Sequence, residues 1–321
     1  AADVVAQRLY RAGCRFAFGM PGGEVLTLVD ALEKAGIRFI LAKHENAAGF
    51  MAEGTWHRTG APGILVATVG PGALNGINVV ENARQDRVPL IVLTGAVDAT
   101  EAQTYTHQVL DQPQVFRPIT KASFTLTAAA AHVIADKAVG IATEGRPGPV
   151  HIDVPITVAD APAPVPARVM RPDATPVAPV GDDLDRARDW LAQARRPVMI
   201  VGLDAVNQGV DLTGFVERYN MPVIATYKAK GLLPDTHPLA LGGAGLSPLA
   251  DSHLLPFVQK ADLILCVGYD PIEMRVGWRD AWDPAKLPVI DIAAAPNHHY
   301  MHQASINFVA DCAATLAALS N

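Results

Sequence analysis

Charge, aromatic side chains and cysteine are all scarce in this chain of 321 residues, and each shortage excludes something. Charged residues make up 18%, against a globular norm of about 25%. Aromatics make up 6%, too few for the stacking platforms that hold single-stranded nucleic acid. Lys and Arg number 26 against 32 Asp and Glu, for a net charge of −6, so the basic footprint of a phosphate-backbone binder is missing. The three cysteines, Cys14, Cys266 and Cys312, are odd in number and far apart. Neither a disulfide framework nor a zinc spacing can be assembled from them, which fits a reducing cytosol. Apolar runs stop at strand length, as in Pro89 to Leu93 and Leu263 to Val267, far below the roughly 20 residues of a spanning helix. Ala1-Ala2-Asp3-Val4 carries no basic region leading into an apolar core. The expectation is a cytoplasmic protein with neither a membrane nor a nucleic acid as partner.

Hydrophobic residues, in contrast, reach 50%, which excludes a disordered chain and suggests buried strands or an extensive subunit interface. At roughly 150 residues per domain the length suggests two domains. The first half alternates short apolar runs with helical periodicity. Strands are predicted at Arg15 to Gly19, Ile37 to Leu41, Gly63 to Thr68, Pro89 to Thr94 and Pro149 to Val154. Such continuous runs are the mark of parallel strands covered on both faces. Seven prolines fall between Pro155 and Pro179, which reads as an extended linker. Alternation then resumes, with strands predicted at Pro197 to Val201, Pro222 to Ala225, Asp262 to Val267 and Pro288 to Ile292. The fold class is therefore α/β: two doubly wound parallel-sheet domains, residues 1–155 and 181–321, joined by a Pro-rich linker at 156–180.

In open α/β sheets ligands bind beyond the carboxyl ends of the strands, which singles out four loops of the first domain. Gly22-Gly23 and Gly70-Pro71-Gly72 both lie between a strand and a helix, where backbone can approach a ligand closely. Glycine is also common in ordinary turns of this kind. Gly70 to Gly76 is a poor dinucleotide fingerprint, because Pro71 removes an N–H and no acidic residue clearly ends the next strand. Glu45 opens a helix, where a carboxylate interacts favourably with the helix dipole and also points at whatever binds on the rim. His44-Glu45 is not a zinc-protease motif, since position 48 is Ala. The long polar segment from Gly95 to Pro118 carries His107 and Gln108, either lid residues or solvated loop. In the second domain Gly202, Thr226, Gly242 to Gly245, Gly268 and Asp291 lie near predicted strand ends, as a nucleotide cleft or as ordinary turns. His298, His299 and His302 lack supporting ligands at metal spacing and read as surface loop.

Taken together, FGMPGGEVLTLVDAL (Phe18 to Leu32), KHENAAGFMAEG (Lys43 to Gly54), ATVGPGALNGINVVENA (Ala67 to Ala83), VPLIVLTG (Val88 to Gly95) and RPITKAS (Arg117 to Ser123) closely resemble the acetolactate synthase branch of the thiamine diphosphate enzymes. Their order and spacing match too. The second domain, with RPVMIVG, TYKAKGLLPDTHPLALGG and PVIDI, resembles that family's central domain, whose fold is of the nicotinamide- or flavin-binding type. The resemblance implies that Glu45 hydrogen-bonds the cofactor's aminopyrimidine and so activates thiamine diphosphate. It implies that Gly70, Pro71, Gly72 and Asn75 line the pyrimidine site, that Gly22 and Gly23 lie on the substrate side, and that Gln108 reaches the reacting carbonyl of a 2-oxo acid. His107 stands where the acetolactate synthases usually carry Phe. The change adds an acid or base to the substrate side and leaves the carboligation partner open. Gly268-Tyr269-Asp270 and Gly242 to Gly245 depart from the flavin-binding members, which weighs against FAD and leaves ADP or an empty cleft as alternatives.

The family's third domain carries a G-D-G…N motif for magnesium and the cofactor diphosphate, and no Gly-Asp-Gly occurs in this sequence. The resemblance thus implies a homodimer or tetramer, completed by a C-terminal diphosphate-binding domain or subunit, with this portion inactive by itself. The alternatives are a non-catalytic nucleotide-binding or regulatory module, and a structural remnant without ligand.

Overall fold

Strands four to seven residues long, the central ones rich in Val, Ile and Leu, form two six-stranded sheets among the described residues, every paired strand parallel to its neighbour. The computed structural model describes residues 1–165 and 175–321. The chain divides into two units, Ala1–Pro172 and Asp173–Asn321.

The first unit contains β1 (Phe16–Met20), β2 (Arg38–Leu41), β3 (Gly63–Ala67), β4 (Leu90–Ala96), β5 (Ala122–Thr125) and β6 (Val150–Pro155) in the order β2-β1-β3-β4-β6-β5. β3, β4 and β6 are buried along their whole length, because helices cover both faces. One face packs Leu9, Leu28, Leu32, Ile64, Ile91 and Ile152; the other packs Leu65, Leu90, Val92, Val79 and Phe116. The chain leaves β1 toward β2 on one side and returns to β3 on the other. The topological switch point therefore lies between the carboxyl ends of β1 and β3.

The second unit contains β7 (Pro197–Val201), β8 (Val223–Thr226), β9 (Ala240–Ala244), β10 (Leu263–Val267), β11 (Val289–Ala293) and β12 (Ile306–Val309) in the order β12-β11-β10-β7-β8-β9. This is the doubly wound order of dinucleotide-binding folds, with its switch point between β7 and β10.

Three strands escape the sequence pattern, β5, β9 and β12, and all three are edge strands. An edge strand needs no continuous apolar run. β12 alternates buried and exposed residues, and β9 contains Gly242 and Gly243, which places these glycines within a strand rather than in a turn. Asp291 likewise lies inside β11. The helix Pro248–Lys260 is disguised by Pro256 in its interior. The helical periodicity between β3 and β4 is divided between two helices, Pro71–Leu74 and Ile77–Gln85, broken at Asn75-Gly76. Of the predicted linker, residues 166–174 lie outside the described residues. Before them, Ile156–Asp160 is helical rather than extended, and Ala159 joins the first core.

Candidate active site

Four of the loops predicted to share one rim converge on the first switch point. Glu45 begins the helix Glu45–Thr59, capped by His44, whose Nδ1 accepts the Asn46 backbone N–H at 3.1 Å. That cap fixes the first turn, so the Glu45 side chain leaves the helix at its N-terminal end, toward the rim. Its carboxylate is 5% exposed, and Oε2 accepts a hydrogen bond from Asn75 Nδ2 at 3.0 Å. Asn75 can reach it because the helical chain breaks at that residue.

Gly70 and Gly72 are required by space and conformation. Gly70 has φ +55° and ψ −115°, a backbone that L side chains rarely adopt. A Cβ on Gly72 would lie 2.5 Å from Thr68 Cγ2 and 3.4 Å from Glu45 Oε1. The bare backbone of Gly72 thus faces the carboxylate oxygen that Asn75 does not hold. Pro71 occupies the first helical position, where its missing N–H is no loss, and it is exposed.

Gly22 lies beside the Thr68 hydroxyl: a Cβ there would be 2.5 Å from Thr68 Oγ1. Gly23 is exposed, with nothing within 4 Å of where its Cβ would stand. Gln108 has φ +57°, and its carbonyl would lie 2.9 Å from a Cβ on Gly70, so the loop after β4 folds back over the glycine turn. His107 is exposed and meets the Tyr105 ring edge-on at 6.2 Å between centroids.

The structure brings Glu45, Gly70, Gly72, Asn75 and Gln108 together, with Gly22 adjoining through Thr68. Gly23 and His107 border the group with their side facing solvent.

Sequence reasoning passed over two polar groups here. Glu24 Oε2 accepts a 2.7 Å hydrogen bond from the Thr68 hydroxyl. That bond, more than the nearby backbone N–H and the more distant His107, holds the Glu24 carboxyl below the usual range against the opposing effect of burial. Gln112, 2% exposed, accepts the Gly70 N–H at 2.6 Å through Oε1. Glu24 adjoins Gly22-Gly23, so proximity was the available signal; nothing local marks Gln112.

The second switch point is built differently. The Gly202 N–H donates to Val267 O at 2.9 Å and the Asp204 N–H to Gly268 O at 3.0 Å. A Cβ on Gly268, whose φ is +59°, would fall 2.2 Å from Ala205 N. The following helix, Leu203–Asn207, is a single short turn. His302 is not on the surface as predicted: it is 4% exposed. It bonds the Tyr269 hydroxyl at 2.8 Å and Trp278 O at 2.6 Å, and stacks on Trp282 at 4.1 Å. Among the described residues no group of three His, Cys, Asp or Glu side chains could hold a metal ion. Among the described residues no helix is long and apolar enough to cross a membrane.

Two parallel-sheet domains in succession, the first with glycine turns and a buried helix-opening glutamate at its switch point, are consistent with the N-terminal and central domains of thiamine pyrophosphate enzymes. Residues 1–115 match the N-terminal thiamine pyrophosphate-binding domain of thiamine pyrophosphate enzymes, and residues 184–319 match their central domain. The chain belongs to the thiamine pyrophosphate enzyme family, of which it carries the N-terminal and central domains. It is 33% identical over 302 residues to the acetolactate synthase isozyme 1 large subunit of Escherichia coli (strain K12), covering 92% of this chain and 53% of that protein. It is 34% identical over 277 residues to the probable acetolactate synthase large subunit of Methanocaldococcus jannaschii, covering 83% and 46% respectively. The acetolactate synthase of Mycobacterium avium is 31% identical over 325 residues, covering 99% and 52%. The chain spans about half the length of the curated relatives it matches.

Proposed function

We propose that the chain forms the aminopyrimidine-binding and central portions of a thiamine diphosphate-dependent 2-oxo acid decarboxylase or carboligase, a lyase or transferase of the acetolactate synthase type. The observation that carries this reading is Glu45: a buried carboxylate with one oxygen held by Asn75 and the other facing the bare backbone of Gly72. That slot fits the edge of a flat heterocycle, since a side chain at position 72 would fill it. When bound, thiamine diphosphate supplies the group that accepts electrons as the bond to the carboxylate breaks.

The chain's own residues bind and orient. Glu45 would hold or release a proton at Oε1, the oxygen Asn75 leaves free, for the aminopyrimidine of the bound group. Gly70, Pro71, Gly72 and Asn75 shape the slot around it, and the Gly22-Gly23 turn borders the substrate side. Gln108 donates a hydrogen bond to the substrate carbonyl, and His107 provides an acid or base beside it.

The working enzyme is a cytoplasmic homodimer or tetramer whose diphosphate end and magnesium are held by a C-terminal domain or subunit, so that this portion alone is inactive. Its domains are 1–155 and 181–321, with 156–180 between them. A nucleotide such as FAD or ADP at the central domain's switch point is disfavoured, because an anion there would have to compete with Gly268 O for the Asp204 N–H.

Replacing Glu45 with Gln, which is isosteric but cannot exchange a proton, should leave the fold intact and slow cofactor C2-proton exchange on the order of 100-fold or more. Exchange at the wild-type rate in the complete enzyme would overturn the reading.

A further inference from the structure

We infer that Gln112 is a positioning residue of this site, locking the Gly70 turn and the Gln108 loop to the ends of β4 and β6. The inference rests on the reading of Glu45 and Gly72 as the cofactor slot.

Gln112 begins the short helix Gln112–Phe116 that ends the loop bearing His107 and Gln108. Its carboxamide is divided between two sides. Oε1 accepts the Gly70 N–H at 2.6 Å. Nε2 donates to Gly95 O at 2.7 Å and to Asp153 Oδ1 at 2.5 Å, with Thr94 Oγ1 at 3.2 Å. Because a backbone N–H can only donate, the oxygen must face Gly70 and the nitrogen must face the three acceptors. No other neutral side chain of this size offers an acceptor and a two-proton donor in that geometry.

Behind Gln112 the network continues with one consistent direction of donation. The Thr94 hydroxyl donates to Asp153 Oδ1 at 2.8 Å and so accepts from His151 Nε2 at 2.7 Å. His151 Nδ1 then accepts from Ser123 Oγ at 2.8 Å. Burial pushes His151 down to about 3, so the ring is neutral and carries a single proton, consistent with the Nε2–H form. Phe116 stacks on the ring at 4.3 Å between centroids. Satisfied buried networks of this kind hold one geometry, because any shift leaves a buried polar group unpaired.

What the network holds is functionally placed. Gly70 sets the direction of Pro71-Gly72, whose backbone faces Glu45, and the carbonyl of Gln108 leans on Gly70 from the other side. Gln112 therefore ties together the two loops that must keep register for Glu45 and Gln108 to act on one ligand. Partners that orient a ligand-binding group from behind typically contribute about 10–100-fold in affinity or activity.

The test compares Gln112→Met, which keeps the volume but neither bond, with Gln112→Glu, which keeps the shape. Three quantities are read: amide hydrogen exchange at Gly70 without cofactor, affinity of the complete protein for thiamine diphosphate with Mg²⁺, and the melting temperature. Gln112→Met should speed exchange at Gly70 and weaken cofactor binding about 10–100-fold. In Gln112→Glu, the new acid faces Asp153 and His151 on β6, Thr94 on β4 and Asp111 in its own loop. Only its protonated form can both accept from Gly70 and donate to Asp153, so cofactor affinity should recover as pH falls, a profile absent from the wild type. A purely structural role would lower the melting temperature of both variants and leave cofactor affinity and its pH profile unchanged, which overturns the inference. If Gln112→Met does not fold, the pH profile of Gln112→Glu decides alone. Glu45→Gln, run in parallel, separates the two claims: normal C2-proton exchange in that variant sinks the cofactor site itself, whereas slowed exchange with unaffected Gln112 variants sinks only the positioning role.

Discussion

The two sheets place a switch point at the same position of the same architectural rule, and they use it in opposite ways. Between β1 and β3 the loops bring polar side chains to the rim: Glu45 held by Asn75, Thr68 bonded to Glu24, and the Gln108 carbonyl over Gly70. Between β7 and β10 backbone meets backbone, with Gly202 and the Asp204 N–H joined to the turn after β10. Topology therefore names a location, and the two locations differ in what the turn glycines face: a carboxylate in one unit, a peptide group in the other.

Exchanging glycine for alanine on each side puts that contrast to the test. Gly268→Ala has the largest expected effect on stability, because its Cβ would meet the Ala205 backbone at 2.2 Å with φ at +59°. Backbone cannot rotate aside, so overpacking and strain together should cost about 3 kcal/mol or more in urea unfolding. A loss under about 0.5 kcal/mol, the scale of an ordinary surface change, would show that the turn is not locked. Gly72→Ala meets only a Thr68 methyl at 2.5 Å, and a smaller loss of about 1–2 kcal/mol is expected. Its main effect should be on cofactor affinity, since the new methyl fills the slot before Glu45. Unchanged affinity would remove the distinction between the two glycine turns.

The sequence made much of this legible, for identifiable reasons. The central strands were readable because burial on both faces demands continuous Val, Ile and Leu, and the rim loops because glycine and a helix-opening glutamate leave a local trace. The edge strands β5, β9 and β12 were not, since one exposed face relaxes the pattern. Nor was His302, whose neighbours Tyr269, Trp278 and Trp282 come from distant segments. Gln112 illustrates the limit most clearly. Its partners Gly70, Gly95 and Asp153 come from three different strand ends, so no spacing in the sequence could reveal them.

The buried network also gives the first unit a pH dependence of its own. Burial raises Asp153 from 3.8 to about 6 and lowers His151 from 6.5 to about 3. The stability that Asp153 contributes is present below 3.8 and lost as pH rises through about 6. That of His151 is present above 6.5 and lost as pH falls toward about 3. Over their shared window the two oppose, so the wild type should change little. Asp153→Asn should expose the histidine alone, and the unfolding free energy of the first unit should then fall on acidification by up to ~1.4 kcal/mol per pH unit. A variant whose stability stays flat from pH 6.5 to 4 would refute the assignment.

The smallest expected signal is an absence of reaction, and it reports on the units separately. Cys14 belongs to the first unit, Cys266 and Cys312 to the second, and all three are at most 2% exposed. Burial pushes Cys14 and Cys312 up to about 12 and raises Cys266 as well. A thiol that is neither exposed nor ionised reacts only through opening of the structure around it. Iodoacetamide at pH 8 should therefore leave the native chain unlabelled, with labelling rates set by the opening free energy of each unit. Gly268→Ala should accelerate modification of Cys266 and Cys312 while leaving Cys14 at its wild-type rate, as resolved by peptide mass spectrometry. Equal acceleration at all three would mean that the units open as one, and that the two switch points, however differently built, share a single stability.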